Sequence, residues 1–133
     1  MSATRVLLVD DDPVFNDLMA RGFIKRGFET RQAHNAEQAV ELAAAFGPAL
    51  ILLDLNMPGD SGLVALPALL QASPSARVVV LTGYSSIATA VEAIKRGACN
   101  YLCKPATIAE ILVAFEGAGE PLQAGLAREP PSG

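Results

Sequence analysis

Short apolar runs alternate along this chain with stretches in which apolar residues return every three or four positions. The runs are RVLLV (5–9), FETRQA (28–33), ALILLD (49–54), RVVVLT (77–82) and NYLC (100–103). The first, third and fourth are nearly unbroken Val, Leu and Ile, the composition of parallel strands covered on both faces. The second is more polar and alternates, which predicts an edge strand. Five such runs separated by helical stretches imply right-handed βα crossovers and a doubly wound α/β sheet.

The helical stretches carry their own start and stop signals. Pro13 to Arg26 sets Phe15, Met19 and Phe23 on one stripe, with Asp12 as N-cap and Pro13 at the first helical position. Asn35 to Phe46 opens on an Asn-x-x-Gln cap and stops at Gly47-Pro48, and the small residues of AVELAAAF predict close packing on the sheet. Ser61 to Ala72 is a third helix, disturbed by Pro67 and ended ahead of Pro74. Ser86 to Arg96 puts Ile87, Ala90, Val91 and Ile94 on one face, with Gly97 as its stop. Thr107 and Glu110 make a capping box ahead of Ile108, Ile111, Leu112 and Phe115. From Gly117 the text changes to GAGEPLQAGLAREPPSG, small residues and prolines without periodicity. The expectation is one domain over residues 1–117 and a mobile tail or truncated linker over 118–133.

At 133 residues the chain is long enough for a core without staples, and its formal net charge of −4 argues against nucleic-acid or anionic-membrane binding. No apolar run approaches the roughly 20 residues that span a bilayer. The opening MSATRVLLVDDD enters a strand directly and leaves no room for a signal peptide, so a cytoplasmic domain is expected. Cys99 and Cys103 flank an extended segment that would separate their α-carbons by about 13 Å, beyond the reach of a disulfide, and read as small apolar residues in a reducing compartment. His34, the only histidine, stands before a helix cap and reads as a solvent-facing loop residue.

Ligands of open α/β sheets bind outside the carboxyl ends of the strands, so those ends form the candidate site. Strand one delivers Asp10, Asp11 and Asp12; strand three delivers Asp54, with Asn56 just beyond it; strand four delivers Thr82 and then Gly83. Strand five ends in NYLCKPA, where Pro105 stops the strand and restricts Lys104 to extended geometry, holding an ammonium at the same edge. Asp12 is accounted for as a cap. Asp10, Asp11 and Asp54 brought together would repel, and such a cluster either raises its pKa values or recruits a cation. Oxygen-only ligands without histidine suit magnesium. Lys104 is placed to balance negative charge, and Asp54, followed by the Gly- and Pro-containing loop LNMPGDSG, is the first candidate for modification.

VDDDP, LLDLNMPGDSG, LTGY and YLCKP, in this order and at these spacings, resemble the receiver domain of two-component response regulators, from about Arg5 to Phe115. The stretch LTGYSSIATAVEAIKRGACNYLCKPA is similar to the redox-responsive regulators of the RegA/PrrA type, which carry a Fis-like helix-turn-helix DNA-binding domain after the receiver. Beyond Phe115 this sequence holds only the tail, so an excised receiver or a single-domain regulator is expected, without direct DNA binding.

The resemblance implies a (βα)5 flavodoxin-like receiver fold with a parallel sheet in the order 2-1-3-4-5. It implies Asp54 as phosphoacceptor for a phosphoryl group from a sensor histidine kinase. Magnesium would be held by Asp11, Asp54 and the backbone carbonyl of Asn56, with Asp10 acting through water. Lys104 and Thr82 would stabilise the phosphoryl group, and Thr82 and Tyr101 would form the switch pair. The face around helix 86–96, strand five and the last helix is the expected output or homodimer surface, including Lys95 and Arg96, whose simpler reading is a solvated basic helix end. The product, an acyl phosphate, would decay slowly, which describes a switch rather than a multiple-turnover enzyme.

Three rivals share parts of this pattern. A flavodoxin-like cofactor binder would want a Ser/Thr- and Gly-rich phosphate loop after strand one, where VDDDP is the electrostatic opposite. An aspartyl-phosphate hydrolase would place a second acid two residues after the nucleophile, and here that residue is Asn56. A receiver used only for docking keeps the fold and drops the chemistry.

Overall fold

A computed structural model describes residues 3–56, 62–83 and 87–116. Five strands alternate with five helices: β1 (Arg5–Val9), α1 (Pro13–Lys25), β2 (Glu29–Ala33), α2 (Ala36–Phe46), β3 (Leu50–Asp54), α3 (Gly62–Ala72), β4 (Arg77–Thr82), α4 (Ile87–Lys95), β5 (Asn100–Cys103) and α5 (Ile108–Glu116). The sheet is parallel throughout, in the order β2-β1-β3-β4-β5. The three strands rich in Val, Leu and Ile are therefore the interior ones, and the polar alternating run is an edge strand, as its pattern predicts.

The period-two alternation of the strands divides the core into two layers. Val6, Leu8, Leu52, Val79 and Leu81 point to one face and meet Ala20 and Phe23 of α1 and Ile111, Ala114 and Phe115 of α5. Leu7, Val9, Ile51, Leu53, Val78 and Val80 point to the other and meet α2, α3 and α4. Phe23 also takes an edge-on contact from Phe28, ring centroids 5.3 Å apart. The alanines of α2 do what their size predicts: Ala39 and Ala43 are buried against the sheet.

The local signals appear as hydrogen bonds. Asp12 Oδ1 accepts from the backbone N–H groups of Val14 and Phe15 (3.0 and 3.4 Å), capping α1. Asn35 Oδ1 accepts from Gln38 N (2.8 Å), while the Gln38 side chain reaches back one residue further than expected, to the N–H of His34. His34 itself is exposed. Thr107 and Glu110 close a reciprocal capping box at α5. Gly47 ends α2 in the left-handed region, φ 64°.

Two expectations need correction. Pro67 does not disturb α3, which runs unbroken through it. Pro67 is exposed, so its ring stands on the solvent face of the helix and not in the core. The apolar face assigned to α4 is also rotated: the helix rests on Ala90 and Ala93, while Val91 and Ile94 are 44% and 37% exposed. The small side chains let the helix sit close to the sheet, and the larger pair turns outward. Ser61 and Ser86, the expected first residues of these two helices, lie outside the described residues, as does the tail 118–133.

Candidate functional site

The strand register brings the carboxyl ends of β1, β3, β4 and β5 level. Val9 pairs with Leu53, Asp54 with Leu81 and Thr82 with Cys103, so the residues just beyond share one edge. There Asp10, Asp11 and Asp54 each offer a carboxylate oxygen, all within 4.8 Å of one another. Asp10 and Asp54 are buried and Asp11 is half-buried. Such a cluster is costly unless compensated.

Two sources of compensation are visible. The first is backbone: Asp10 Oδ1 accepts from Asp12 N (2.9 Å) and Asp54 Oδ1 from Asn56 N (3.1 Å). The second is Lys104, whose Nζ lies 3.0 Å from Asp10 Oδ2 and 3.5 Å from Asp54 Oδ1. Burial pushes the Asp54 carboxyl above the usual carboxylate range; the Asn56 N–H opposes that shift, the charge of Asp10 adds to it, and Lys104 opposes it without reversing it. Burial pulls the Lys104 ammonium down, but its hydrogen bond to Asp10 and the charges of Asp54 and Asp10 outweigh this and hold it above the ordinary lysine value. Lys104 is thus a fixed cation beside a carboxylate that resists ionisation. The Lys104–Pro105 peptide is cis, and the Lys104 N–H donates to Thr82 O (2.8 Å), tying the two loops together.

Thr82 is fully buried at the end of β4, and its hydroxyl donates to Gly83 O (3.2 Å). Asn56 is exposed just past β3. Tyr101 stands apart from the carboxylates: it is half-buried on the β5 face that packs with Ala90 and Ala93 of α4. Cys99 and Cys103 are free thiols. The Cys99 thiol donates to Val78 O (3.2 Å), and burial pushes its pKa up. Arg96 pairs with Glu92 (3.1 Å) on the exposed side of α4.

Three residues belong to this edge that sequence reasoning left out. Asn16, almost wholly buried, donates through Nδ2 to the carbonyls of Asp10 (3.0 Å) and Ala33 (3.1 Å), bracing the acidic loop against the end of β2. Phe15 presents its ring to Lys104, with Nζ 4.6 Å from the centroid. At Gly62, a β-carbon would lie 2.5 Å from the carbonyl oxygen of Asp54, so α3 can approach the end of β3 only with glycine there. A Gly four residues after the LNMP stretch was the one available signal; Asn16 and Phe15 gave none beyond helical spacing.

The oxygen-only donor set fits a hard divalent cation: three carboxylates converge, with no histidine or thiol among them, and their mutual repulsion exceeds what one lysine neutralises. The same edge offers a buried nucleophilic carboxylate, a fixed ammonium and a hydroxyl donor, the parts needed to receive a phosphoryl group.

Comparison with known proteins gives the same direction. Residues 6–116 match the response regulator receiver domain family. The photosynthetic apparatus regulatory protein RegA of Rhodobacter capsulatus is 44% identical over 117 residues, covering 88% of this chain and 64% of that protein. The acid tolerance regulatory protein ActR of Rhizobium meliloti is 39% identical over 110 residues, 83% of this chain and 57% of that one. The chain therefore spans less than two thirds of the length of these relatives. Among solved structures, a response regulator from Burkholderia pseudomallei with a phosphorylated aspartic acid, a calcium ion and citrate is 47% identical, with a TM-score of 0.86, covering 96% of this chain and 75% of that one.

Proposed function

The chain belongs to the response regulator receiver family, and on that basis we propose that Asp54 is its phosphoacceptor. The observation that carries this reading is the placement of Lys104 between Asp10 and Asp54, on the acidic edge where the family match and the buried carboxylate coincide. Magnesium is the cation the donor set fits, held by Asp11, Asp54 and the Asn56 backbone carbonyl, and when bound it supplies charge neutralisation for the incoming group. Asp10, whose oxygens already serve the Asp12 N–H and Lys104, acts toward the metal through water.

The chemistry asked of the protein is positioning. Asn56 N–H holds Asp54 Oδ1, which leaves Oδ2 to attack phosphorus in line while the bond to the donor breaks. Lys104 follows the charge from carboxylate to phosphoryl oxygens. The new group carries more negative charge than the carboxylate it replaces and offers strong acceptors. Thr82 then exchanges the Gly83 carbonyl for a phosphoryl oxygen, drawing its loop inward. Tyr101 moves toward the space released, and α4, resting on Ala90 and Ala93, repacks against β5.

The donor is a sensor histidine kinase. The exposed apolar residues Val91 and Ile94 of α4 and Val113 of α5 mark the output and homodimer face. The kinship to RegA and ActR, which are regulatory proteins longer than this chain, supports control of transcription through a segment outside residues 1–117; with a net charge of −4, direct nucleic-acid binding by this chain is not part of the proposal. No helix among the described residues is long and apolar enough to cross a membrane; the site of action in this proposal is the cytoplasm. Slow decay of the acyl phosphate makes the domain a switch and not a multiple-turnover enzyme.

Intact mass after incubation with magnesium and acetyl phosphate tests the assignment. One phosphoryl adduct is expected on the native chain, and none in Asp54→Asn or without magnesium. No adduct on the native chain, with histidine kinases also offered as donors, would leave a docking module with a receiver fold.

A further inference from the structure

Among the described residues the Lys104 ammonium has three charged or aromatic neighbours, and the acidic pair accounts for only two of them. Its ammonium meets Asp10 at 3.0 Å, Asp54 at 3.5 Å and the face of Phe15 at 4.6 Å from the ring centroid. A cation at that distance is attracted by the ring quadrupole, and more strongly where water is excluded. The Lys104 side chain is only 28% exposed. The ring also occupies a side from which water would otherwise solvate the ammonium.

The ring is held by the same short segment that carries the acids. The backbone N–H of Phe15 donates to Asp12 Oδ1, the N–H of Asp12 donates to Asp10 Oδ1, and the neighbouring Asn16 braces the Asp10 and Ala33 carbonyls. Asp10 and the backbone of Phe15 are therefore tied to one another through Asp12, and the ammonium lies among the two carboxylates and the ring. The remaining surface of the ring packs on the core layer shared with Leu8, Met19, Leu52 and Leu81. Core packing alone explains a large apolar side chain here, but it does not require an aromatic one facing a cation.

The geometry points to Phe15 as a positioning residue for phosphoryl transfer to Asp54, its ring face holding the Lys104 ammonium where the transferred group arrives. The inference rests on the reading of Asp54 as phosphoacceptor. With acetyl phosphate, an Asp54 oxygen bonds to phosphorus as the bond from phosphorus to the acetate oxygen breaks and acetate leaves. The ammonium has to be beside the phosphoryl oxygens during that exchange, and a cation free to turn toward solvent would be there for less of the time.

Stepwise fluorination separates the quadrupole of the ring from its size. Native chain and versions carrying mono-, di- and trifluorophenylalanine at position 15 are compared for the rate of phosphorylation by acetyl phosphate with magnesium, beside Phe15→Leu. In the metal-free protein, the proton shifts of the Lys104 ε-methylene report the ring contact directly. The expected result is an upfield-shifted ε-methylene in the native chain that relaxes in Phe15→Leu, and a rate that falls with each fluorine, by about threefold at three fluorines. A rate independent of fluorine number, or ε-methylene shifts unmoved by Phe15→Leu, would overturn the inference. A native chain that takes no phosphoryl group overturns the Asp54 reading itself and the positioning role with it, an outcome told apart by the unfluorinated baseline.

Discussion

On one face of the sheet, α1 and α5 are anchored by large buried side chains, Phe23, Ile111 and Phe115; on the other, α4 rests on Ala90 and Ala93 and turns Val91 and Ile94 outward. The first arrangement loses much if it shifts, because each large side chain fills space shaped for it. The second loses little, because two methyl groups can slide over the sheet without opening a large cavity. The candidate site lies across the two. Asp10, Phe15 and the brace from Asn16 belong to the anchored side, while Thr82 and Tyr101 lead to the lightly seated helix. A charge placed on Asp54 is therefore held against a fixed wall and read out where the fold gives most easily.

The contrast breaks most visibly at Phe23. Phe23→Ala should lower the unfolding free energy by about 3–5 kcal/mol, measured by urea denaturation, since the cavity is walled by both α1 and the sheet. Ala90→Leu probes the other side. It overpacks α4, and because the helix can ride outward the cost should fall at the low end of the usual range of about 1–3 kcal/mol. A cost equal to that of Phe23→Ala would mean that α4 is as firmly seated as α1.

Asp54→Asn lies between the two and should change stability with the opposite sign, raising it by on the order of 1 kcal/mol at neutral pH, because it removes a buried carboxylate facing Asp10. The pH dependence follows from the raised Asp54 pKa. Between the ordinary carboxylate value and the native one, the folded chain keeps a proton that the unfolded chain has released, so stability falls as pH rises through that window. Asp54→Asn should lack this fall. Lys104 has the same sign in a higher window: its stabilisation is whole below the ordinary lysine value and is lost as pH rises through its higher native one. Urea midpoints at a series of pH values check both.

Much of the architecture was legible because three apolar runs could only be interior strands and each capping residue carries its own hydrogen-bond demand. The four strand-end residues Asp10, Asp11, Asp54 and Lys104 were legible for a related reason: a parallel sheet sends every strand end to one edge. The packing face of α4 was not, since Val91 and Ile94 are more hydrophobic than Ala90 and Ala93 and periodicity alone favours them; closeness of approach decided instead. Phe15 was absorbed into a core stripe with Met19 and Phe23, and its second face became visible only once Lys104, some ninety positions later, was folded over it. Asn16 carried no signal in the sequence, because its role depends on the carbonyls of Asp10 and Ala33 converging on its amide.

The most direct test of a charge event on Asp54 that is read out through α4 is the amide NMR spectrum before and after addition of magnesium and beryllofluoride, a phosphoryl mimic. The expected shifts cluster at Asp54, Thr82, Gly83, Ile87–Lys95 and Asn100–Lys104, leave the amides of Phe23, Phe28 and Phe46 in place, and vanish in Asp54→Asn. Shifts spread evenly over both faces, or the same shifts in Asp54→Asn, would contradict it.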